Sequence, residues 1–418
     1  MHPRAALETP DSGGAPAPAP DERPVVAVYR SLLLWTTETY IRSQAEAVSR
    51  YRSHYVCLHR VVGLDLPEDR VVVLNRGGRV GRAREAVFEW FGVSPSLVNA
   101  VRRLRPVVIH AHTGADGAMA LPLARRLRLP LVVTFHGFDA TASEEAVRRR
   151  GRRYQAFLRR REALKREARL LIACSEFTRR CMLAQGYPAE KIVVHYLGID
   201  TQRFRPDPQA SREPVVFFAG RLIEKKGLTY LIDAMRQVQA RIPGVELVIG
   251  GAGPLRADLE RQAREQGVRA RFVGRLTPDE VRAWLQRAQL FCMPSVTAGD
   301  GDAEGLPIVM LEAMASGTPV VGSTSAGIPE AITHGTTGLL APERDSATLA
   351  AHIEALLTDA ALWQRMSTAA VHGTRERFDL HRQTATLEEL YDSVRAQTGV
   401  VRAPGVTPAL LTPQGERG

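Results

Sequence analysis

Apolar residues along this chain fall in short runs rather than long ones. The first is Val25-Val26-Ala27-Val28-Tyr29, followed by Val71–Leu74, Val107–Ile109, Leu131–Phe135, Leu170–Cys174 and Ile192–Val194, with amphipathic segments of helical period between them. Short apolar runs set between helices predict parallel strands buried on both faces. Around Arg205-Pro206-Asp207-Pro208 the periodicity stops in a polar, proline-containing stretch that reads as a linker. A second series opens at Val215–Phe218 and continues through Glu246–Ile249, Ala270–Val273, Leu290–Met293, Pro319–Val321 and Gly338–Leu340, with helices predicted at Leu228–Ala240 and Pro278–Ala288. The predicted fold class is α/β: two doubly wound Rossmann-like domains facing a cleft. Boundaries are expected at 1–24 (a disordered leader), 25–205, 206–375, 376–395 (a helix returning to the N-terminal domain) and 396–418 (a disordered tail).

Length agrees with this division, since 418 residues are many for one core. A hydrophobic fraction of 44% and a charged fraction of 24% are ordinary for a globular chain. No run of about 18 apolar residues predicts a transmembrane helix. Met1–Pro24 lacks the apolar core of a signal peptide, so a cytoplasmic location is expected. Cys57, Cys174, Cys181 and Cys292 are scattered and read as buried free thiols. The net charge of +11 asks for an anionic partner: nucleic acid, membrane phosphate or a nucleotide diphosphate. Much of it lies between Arg148 and Arg169, which reads either as a solvated helix face or as a peripheral contact with an anionic membrane. Only Tyr154 and Phe157 could stack on bases there, so no nucleic acid is expected.

Candidate chemistry sits at strand ends. Glu304-Gly305-Leu306-Pro307-Ile308 leads into a helix-compatible run that carries Glu312. Pro307 suits a first helical turn, and the helix N-terminus offers free N–H groups to a phosphate. Gly305 lets the backbone approach a ligand. Glu304 and Glu312 could both accept from hydroxyls of one bound molecule; the bland alternative is an acid favouring the helix dipole. After the first strand of the second domain, Arg221 and Lys226 lie in a βα turn where two cations could neutralise a diphosphate without a metal. Lys225 reads as the solvated member of that turn. Gly250-Gly251-Ala252-Gly253-Pro254 implies close backbone packing but lacks the acidic partner, about 20 residues on, of a dinucleotide fingerprint. His136 and Gly137 end the strand Leu131–Phe135, with His136 expected in the cleft, and His110 and His112 end another. Asp300-Gly301-Asp302 lacks the remaining ligands of a calcium loop and reads as a flexible acidic turn. No nucleophile elbow, Walker loop or zinc-peptidase pair is present, against a hydrolase, an NTPase or a zinc peptidase.

Together these elements resemble the retaining glycosyltransferases of family 4, which have the GT-B fold, over about Val25 to Val394. Glu304 and Glu312 match the family's Glu-seven-residues-Glu signature, Arg221 and Lys226 its diphosphate-binding pair, His136 its sugar-end histidine, and Gly327-Ile328-Pro329-Glu330 its Gly-Ile-Pro-Glu turn. Asp300–Gly305 and Thr37-Glu38-Thr39-Tyr40-Ile41 resemble the branch that builds exopolysaccharides such as colanic acid. Two departures stand out. The family's glycine-rich phosphate loop is absent, so that contact must come from the Glu38-Thr39 backbone or be missing, and Leu197 replaces the usual Asn of Leu197-Gly198-Ile199-Asp200.

The resemblance implies transfer of a sugar, with retention and without a metal or other cofactor, from a nucleotide-diphosphate donor (UDP- or GDP-linked, UDP ahead) to a glycan, lipid-linked or small-molecule acceptor. His136, Glu304, Arg221 and Lys226 are the implied catalytic set. Gly253, Arg275, Leu276, Gly305, Leu306, Pro307, Ile308 and Glu312 complete the implied donor site, and Glu38, Thr39, His112 and Gly137 an acceptor or donor-phosphate loop. Hinges are implied near Arg205–Pro208 and in the helix before Val394. The competing readings are a sugar-nucleotide epimerase or phosphorylase on the same fold, and a non-catalytic partner subunit.

Overall fold

The computed structural model describes residues 21–35 and 37–396; the leader and tail expected from composition fall almost entirely outside these residues. Seven strands form a first parallel sheet: β1 (Val25–Leu32), β2 (Arg52–His59), β3 (Val71–Asn75), β4 (Pro106–His112), β5 (Leu131–Phe135), β6 (Leu170–Ala173) and β7 (Ile192–Val194), in the order β3-β2-β1-β4-β5-β6-β7. Six form a second: β8 (Glu213–Ala219), β9 (Glu246–Gly250), β10 (Ala270–Gly274), β11 (Ala288–Met293), β12 (Val320–Ser323) and β13 (Leu339–Ala341), in the order β10-β9-β8-β11-β12-β13. Both are doubly wound, as the two αβ series predict, and each reverses its strand order beside its first strand.

Alternation explains how helices cover both faces of the first sheet. Ala27 and Tyr29 of β1 pack into one apolar cluster, with Leu121 and Phe157, while Val26 and Val28 pack into another with Leu387, Leu390, Tyr391 and Val394. Those last four residues belong to the helix Leu380–Arg395, so the C-terminal helix lies on the first sheet. The chain reaches it beside its own outgoing crossover: Ile199 N–H donates to Phe378 O and Leu380 N–H to Ile199 O, both at 2.8 Å. Gly198 permits this, since a Cβ there would lie 2.6 Å from Leu380 Cα. Leu197 is buried at the same crossing.

Two strands depart from the hydrophobic pattern. β1 continues three residues beyond the predicted Tyr29, because Ser31 N–H donates to Asp116 at 3.0 Å and Arg30 ion-pairs with the same carboxylate. β2, between β1 and β3, was not visible as an apolar run: it opens on Arg52, Ser53 and His54. Its pairing with β1, Tyr55 opposite Val28 and Cys57 opposite Arg30, supplies the missing order.

Candidate active site

Ligands bind doubly wound sheets outside the strand carboxyl ends, where the strand order reverses. In the second sheet that point lies between β8 and β11. Leaving β8, the chain passes Gly220 and Arg221 into the single turn Glu224–Lys226, closed by Gly227 at φ 65°. A Cβ on Gly227 would lie 1.8 Å from Pro294 O, which fixes this turn against the segment leaving β11.

The two segments meet as charges. Lys226 Nζ lies 2.6 Å from Glu304 Oε1, and Ser295 Oγ donates to the same oxygen at 3.3 Å. Glu304 is 7% exposed. Burial alone would raise its carboxyl, but Lys226, Lys225 and Arg221 outweigh burial and hold it at about 2. Glu304 is therefore an ionised acceptor at neutral pH. Arg221 is exposed and, among the described residues, pairs with no carboxylate or carbonyl.

Lys225 is not solvated. It is 8% exposed, and its Nζ donates to Asp302 Oδ1 at 2.9 Å and to Ala303 O at 3.2 Å. The Asp300–Asp302 segment is correspondingly a packed turn, not a flexible acidic one: Asp302 is buried on Lys225, 77 residues away in sequence. Among the described residues no three His, Cys, Asp or Glu side chains gather as a metal-ion ligand set.

The helix Ile308–Ala315 starts one residue later than expected, with Pro307 just outside it at φ −69° and ψ 112°. No side chain caps it, so its first N–H groups stay available to a ligand. Leu306 is buried and Ile308 packs on the same core. Gly253 brings the β9 turn onto the Arg221 turn: its Cβ would lie 2.3 Å from Leu222 O. Arg275 is exposed after β10, and Leu276 fills the space over Gly250.

Glu312 stands apart. It is half-buried, its carboxylate has no hydrogen-bond or ion-pair partner among the described residues, and burial, only partly opposed by Arg203, raises that carboxyl to about 7. A folded-state value above the ordinary 4.5 means that ionisation opposes folding. The contribution of Glu312 to the stability of the ligand-free chain should therefore fall as pH rises from about 4.5 through 7. A Glu312→Gln variant should match the natural chain near pH 4.5 and exceed its urea midpoint at pH 8. Parallel titrations of the two proteins would refute the shift.

The first sheet reverses between β1 and β4. His136 Nε2 lies 3.1 Å from His112 Nδ1, with the rings stacked at 5.4 Å, and the Tyr40 ring sits 5.1 Å from His136. His112 stacks in turn on His110, which bridges the hydroxyls of Tyr391 and Thr134, each at 2.7 Å. Burial, aided by Arg30 and His110, lowers His136 to about 3, so its ring is neutral; its Nδ1 is buried without a partner. Glu38 does not offer its backbone to a ligand, because its N–H donates to Trp35 O at 2.9 Å and its carboxylate ion-pairs with Arg30. Thr39 opens the helix Thr39–Ala47, whose N-terminus no side chain caps.

The two halves touch beside these groups. Gly137, at φ 137°, packs on the Glu304 loop: its Cβ would lie 3.1 Å from both Ala303 O and Gly305 N. A Cβ on Gly305 would lie 2.3 Å from His136 O, so the close approach this glycine makes is to protein backbone. Ala303 N–H donates to Thr141 Oγ1 at 3.2 Å and Ser143 N–H to Asp300 O at 2.9 Å. Glu330 spans the cleft too, accepting from the N–H groups of Glu176 and Phe177 at 2.7 Å each. His136 is thus held directly against the loop carrying Glu304.

Sequence reasoning missed Arg30, Asp116, Asp139 and the cross-domain reach of Glu330. Asp139 accepts from Gly114, His136 and Gly137 N–H groups, which fixes the His136 turn, while burial raises its carboxyl to about 6 against those bonds. An Asp three residues after a strand-end His was the signal available. The basic run is less free than its composition implies. Arg152 pairs with Glu89, Arg161 with Glu144, Arg150 stacks on Phe138, and Lys165 is buried on Gln185 O.

Residues 37–203 match the family described as Glycosyltransferase Family 4, and residues 213–359 match Glycosyl transferases group 1. The amylovoran biosynthesis glycosyltransferase AmsK of Erwinia amylovora is 34% identical over 265 residues, 62% of this chain and 63% of that protein. The putative colanic acid biosynthesis glycosyltransferase WcaL of Escherichia coli is 36% identical over 259 residues, 60% and 61% of the two chains. The chain thus spans less than two thirds of either relative. A GDP-mannose-dependent alpha-(1-6)-phosphatidylinositol monomannoside mannosyltransferase of Mycolicibacterium smegmatis is 33% identical over 358 residues, 82% of this chain and 86% of that one. In structure, Anabaena Alr3699/HepE in complex with UDP and glucose superposes with a TM-score of 0.71 at 23% identity, over 88% of this chain and 99% of that one, which establishes the GT-B fold. With both domain matches in chain order and a relative covered over most of its length, the chain belongs to glycosyltransferase family 4.

Proposed function

We propose that this chain transfers a sugar from a nucleotide-diphosphate donor to a glycan or lipid-linked acceptor in exopolysaccharide or glycoconjugate assembly. The observation that carries this reading is the buried Lys226–Glu304 pair, with the unpaired Arg221 beside it and the neutral His136 across the cleft. Arg221, Lys226 and the uncapped N-terminus at Ile308 stabilise the departing diphosphate. Glu304 is ionised, so it accepts hydrogen bonds from the donor sugar's hydroxyls and is unsuited to general acid catalysis. Glu312 takes the ribose hydroxyls, and His136 holds the sugar from the first domain.

The reaction breaks the bond between the anomeric carbon and the phosphate oxygen and forms one from that carbon to the acceptor oxygen. The acceptor's proton passes to the leaving diphosphate, which departs on the face the acceptor enters, so configuration is retained. No step calls on a metal ion. Two donor bases find support among the related proteins: HepE was solved with UDP, whereas the mycobacterial relative is named for GDP-mannose. AmsK and WcaL supply the exopolysaccharide context.

A panel of UDP- and GDP-sugars separates these donors. The true donor should stabilise the chain by about 2.7 kcal/mol at a hundred times its dissociation constant. It should also be slowly hydrolysed without acceptor, with chelator present. Failure of every nucleotide sugar to stabilise the protein would sink the proposal, and undiminished transfer in a complete pathway assay with Glu304→Ala in place of the natural chain would favour the non-catalytic subunit.

A further inference from the structure

The helix Gly78–Phe91 turns one side inward, burying Gly81 and Phe88. Its other side is also apolar. Val80, Val87, Trp90 and Phe91 are 64%, 45%, 51% and 74% exposed, which makes them most of the exposed large hydrophobic side chains among the described residues. Val87 follows Val80 by seven residues, and Trp90 and Phe91 follow Val87 by three and four, so that with exposed Ala83 they form one stripe along the helix. Scattered apolar residues on a surface need no explanation, but a stripe on one helix face does.

Cations border the stripe. At about 100° per residue, Arg79 falls on one side of it and Arg84 on the other. Both are exposed and make no ion pair among the described residues, and the same is true of Arg76 and Arg82. The helix's acids do not neutralise them: Glu85 is hydrogen-bonded to Asn75, and Glu89 pairs with Arg152. Arg159 adds a further cation, 4.9 Å above the Trp90 ring.

We infer that this helix face docks on an anionic membrane surface. The apolar stripe enters the headgroup boundary, Trp90 sits at the interface, and the flanking arginines reach lipid phosphates with their stems along the stripe. A second copy of the chain fits worse, since pairing this face with itself about a two-fold axis sets arginines against arginines. The basic run at 148–169 is engaged largely within the protein, so the membrane contact belongs to Gly78–Phe91. The helix starts at the carboxyl end of β3, the sheet edge that also carries His112 and His136. A lipid-linked acceptor, the class proposed above, would be met on the same lipid surface. The inference itself does not rest on that proposal.

The test is sedimentation of the full chain with vesicles of phosphatidylcholine containing about one third phosphatidylglycerol, beside pure phosphatidylcholine. The natural chain should bind the anionic vesicles, lose binding as salt rises, and ignore the neutral ones. Trp90→Ser/Phe91→Ser, whose charge is unchanged, should bind about tenfold more weakly. Arg79→Gln/Arg84→Gln should lose about twenty-fivefold, at about fivefold per arginine. Both variants should keep the natural melting temperature, which separates lost docking from lost folding. Equal binding to neutral vesicles, or unchanged binding by both variants, overturns the inference. So does a natural chain that ignores vesicles and instead dimerises, with Trp90→Ser/Phe91→Ser restoring the monomer in sedimentation velocity. The readout is partitioning rather than transfer, so it can fail while the sugar-transfer reading stands, and the reverse.

Discussion

Replacing Lys226 by alanine is expected to lower kcat by about 10²–10³-fold with the correct donor, the scale of losing one preorganised charge contact to a developing anion. Two effects combine. The leaving diphosphate loses a cation fixed 2.6 Å from Glu304, and Glu304 loses the strongest of the three cations that keep it ionised in a buried setting. Lys225 cannot substitute, because its Nζ is committed to Asp302 and Ala303. Breaking a buried pair by removing one member costs about 3–5 kcal/mol, so the variant should also unfold at lower denaturant. A second substitution separates the two effects. In Lys226→Ala/Glu304→Gln the carboxamide needs no counter-charge, so stability should recover in part while turnover stays low. A single Lys226→Ala protein that keeps more than about a tenth of natural kcat would remove Lys226 from the chemistry.

What the sequence reveals here depends on the range of the interaction. Both sheets were readable because every strand but β2 announces itself over a few apolar residues, as Leu131–Phe135 does with every position buried. Lys226 and Glu304 were readable as separate motifs, and the fold brings them together. Lys225 and Asp302 were misread for a reason of the same kind. Each looks solvated beside its neighbours, and only the other, 77 residues away, makes burial affordable. Arg30 and Asp116 repeat this over 86 residues and carry β1 beyond its apolar run. The helix Gly78–Phe91 shows a second limit. Periodicity finds an apolar stripe, but burial decides whether it faces the core, and Phe88 holds the core side while Trp90 and Phe91 face outward.

Glu330→Ala should weaken closure of the cleft without touching the groups proposed to act on the donor. Its carboxylate accepts from Glu176 and Phe177 N–H, 154 and 153 residues away, and takes the Tyr196 hydroxyl at 3.1 Å. These N–H groups open the helix Glu176–Ala184, where the dipole favours an anion and where Ser175 caps only Thr178. A side chain from the second domain thus finishes the N-terminus of a first-domain helix, an arrangement that exists only while the domains are together. Losing such a cap costs about 0.5–2 kcal/mol, and here that cost falls on the closed form. kcat/KM should therefore fall by about tenfold, expressed mainly in KM because saturating donor restores closure from the other side of the cleft. Small-angle scattering should record a larger radius of gyration for the ligand-free variant and a natural one with donor bound. Glu330→Gln, whose carboxamide oxygen still accepts, should fall between the two. If Glu330→Ala instead kept kcat/KM within about twofold and scattered like the natural chain, closure would have to be held by the remaining contacts, those of Gly137, Thr141 and Ser143 among them.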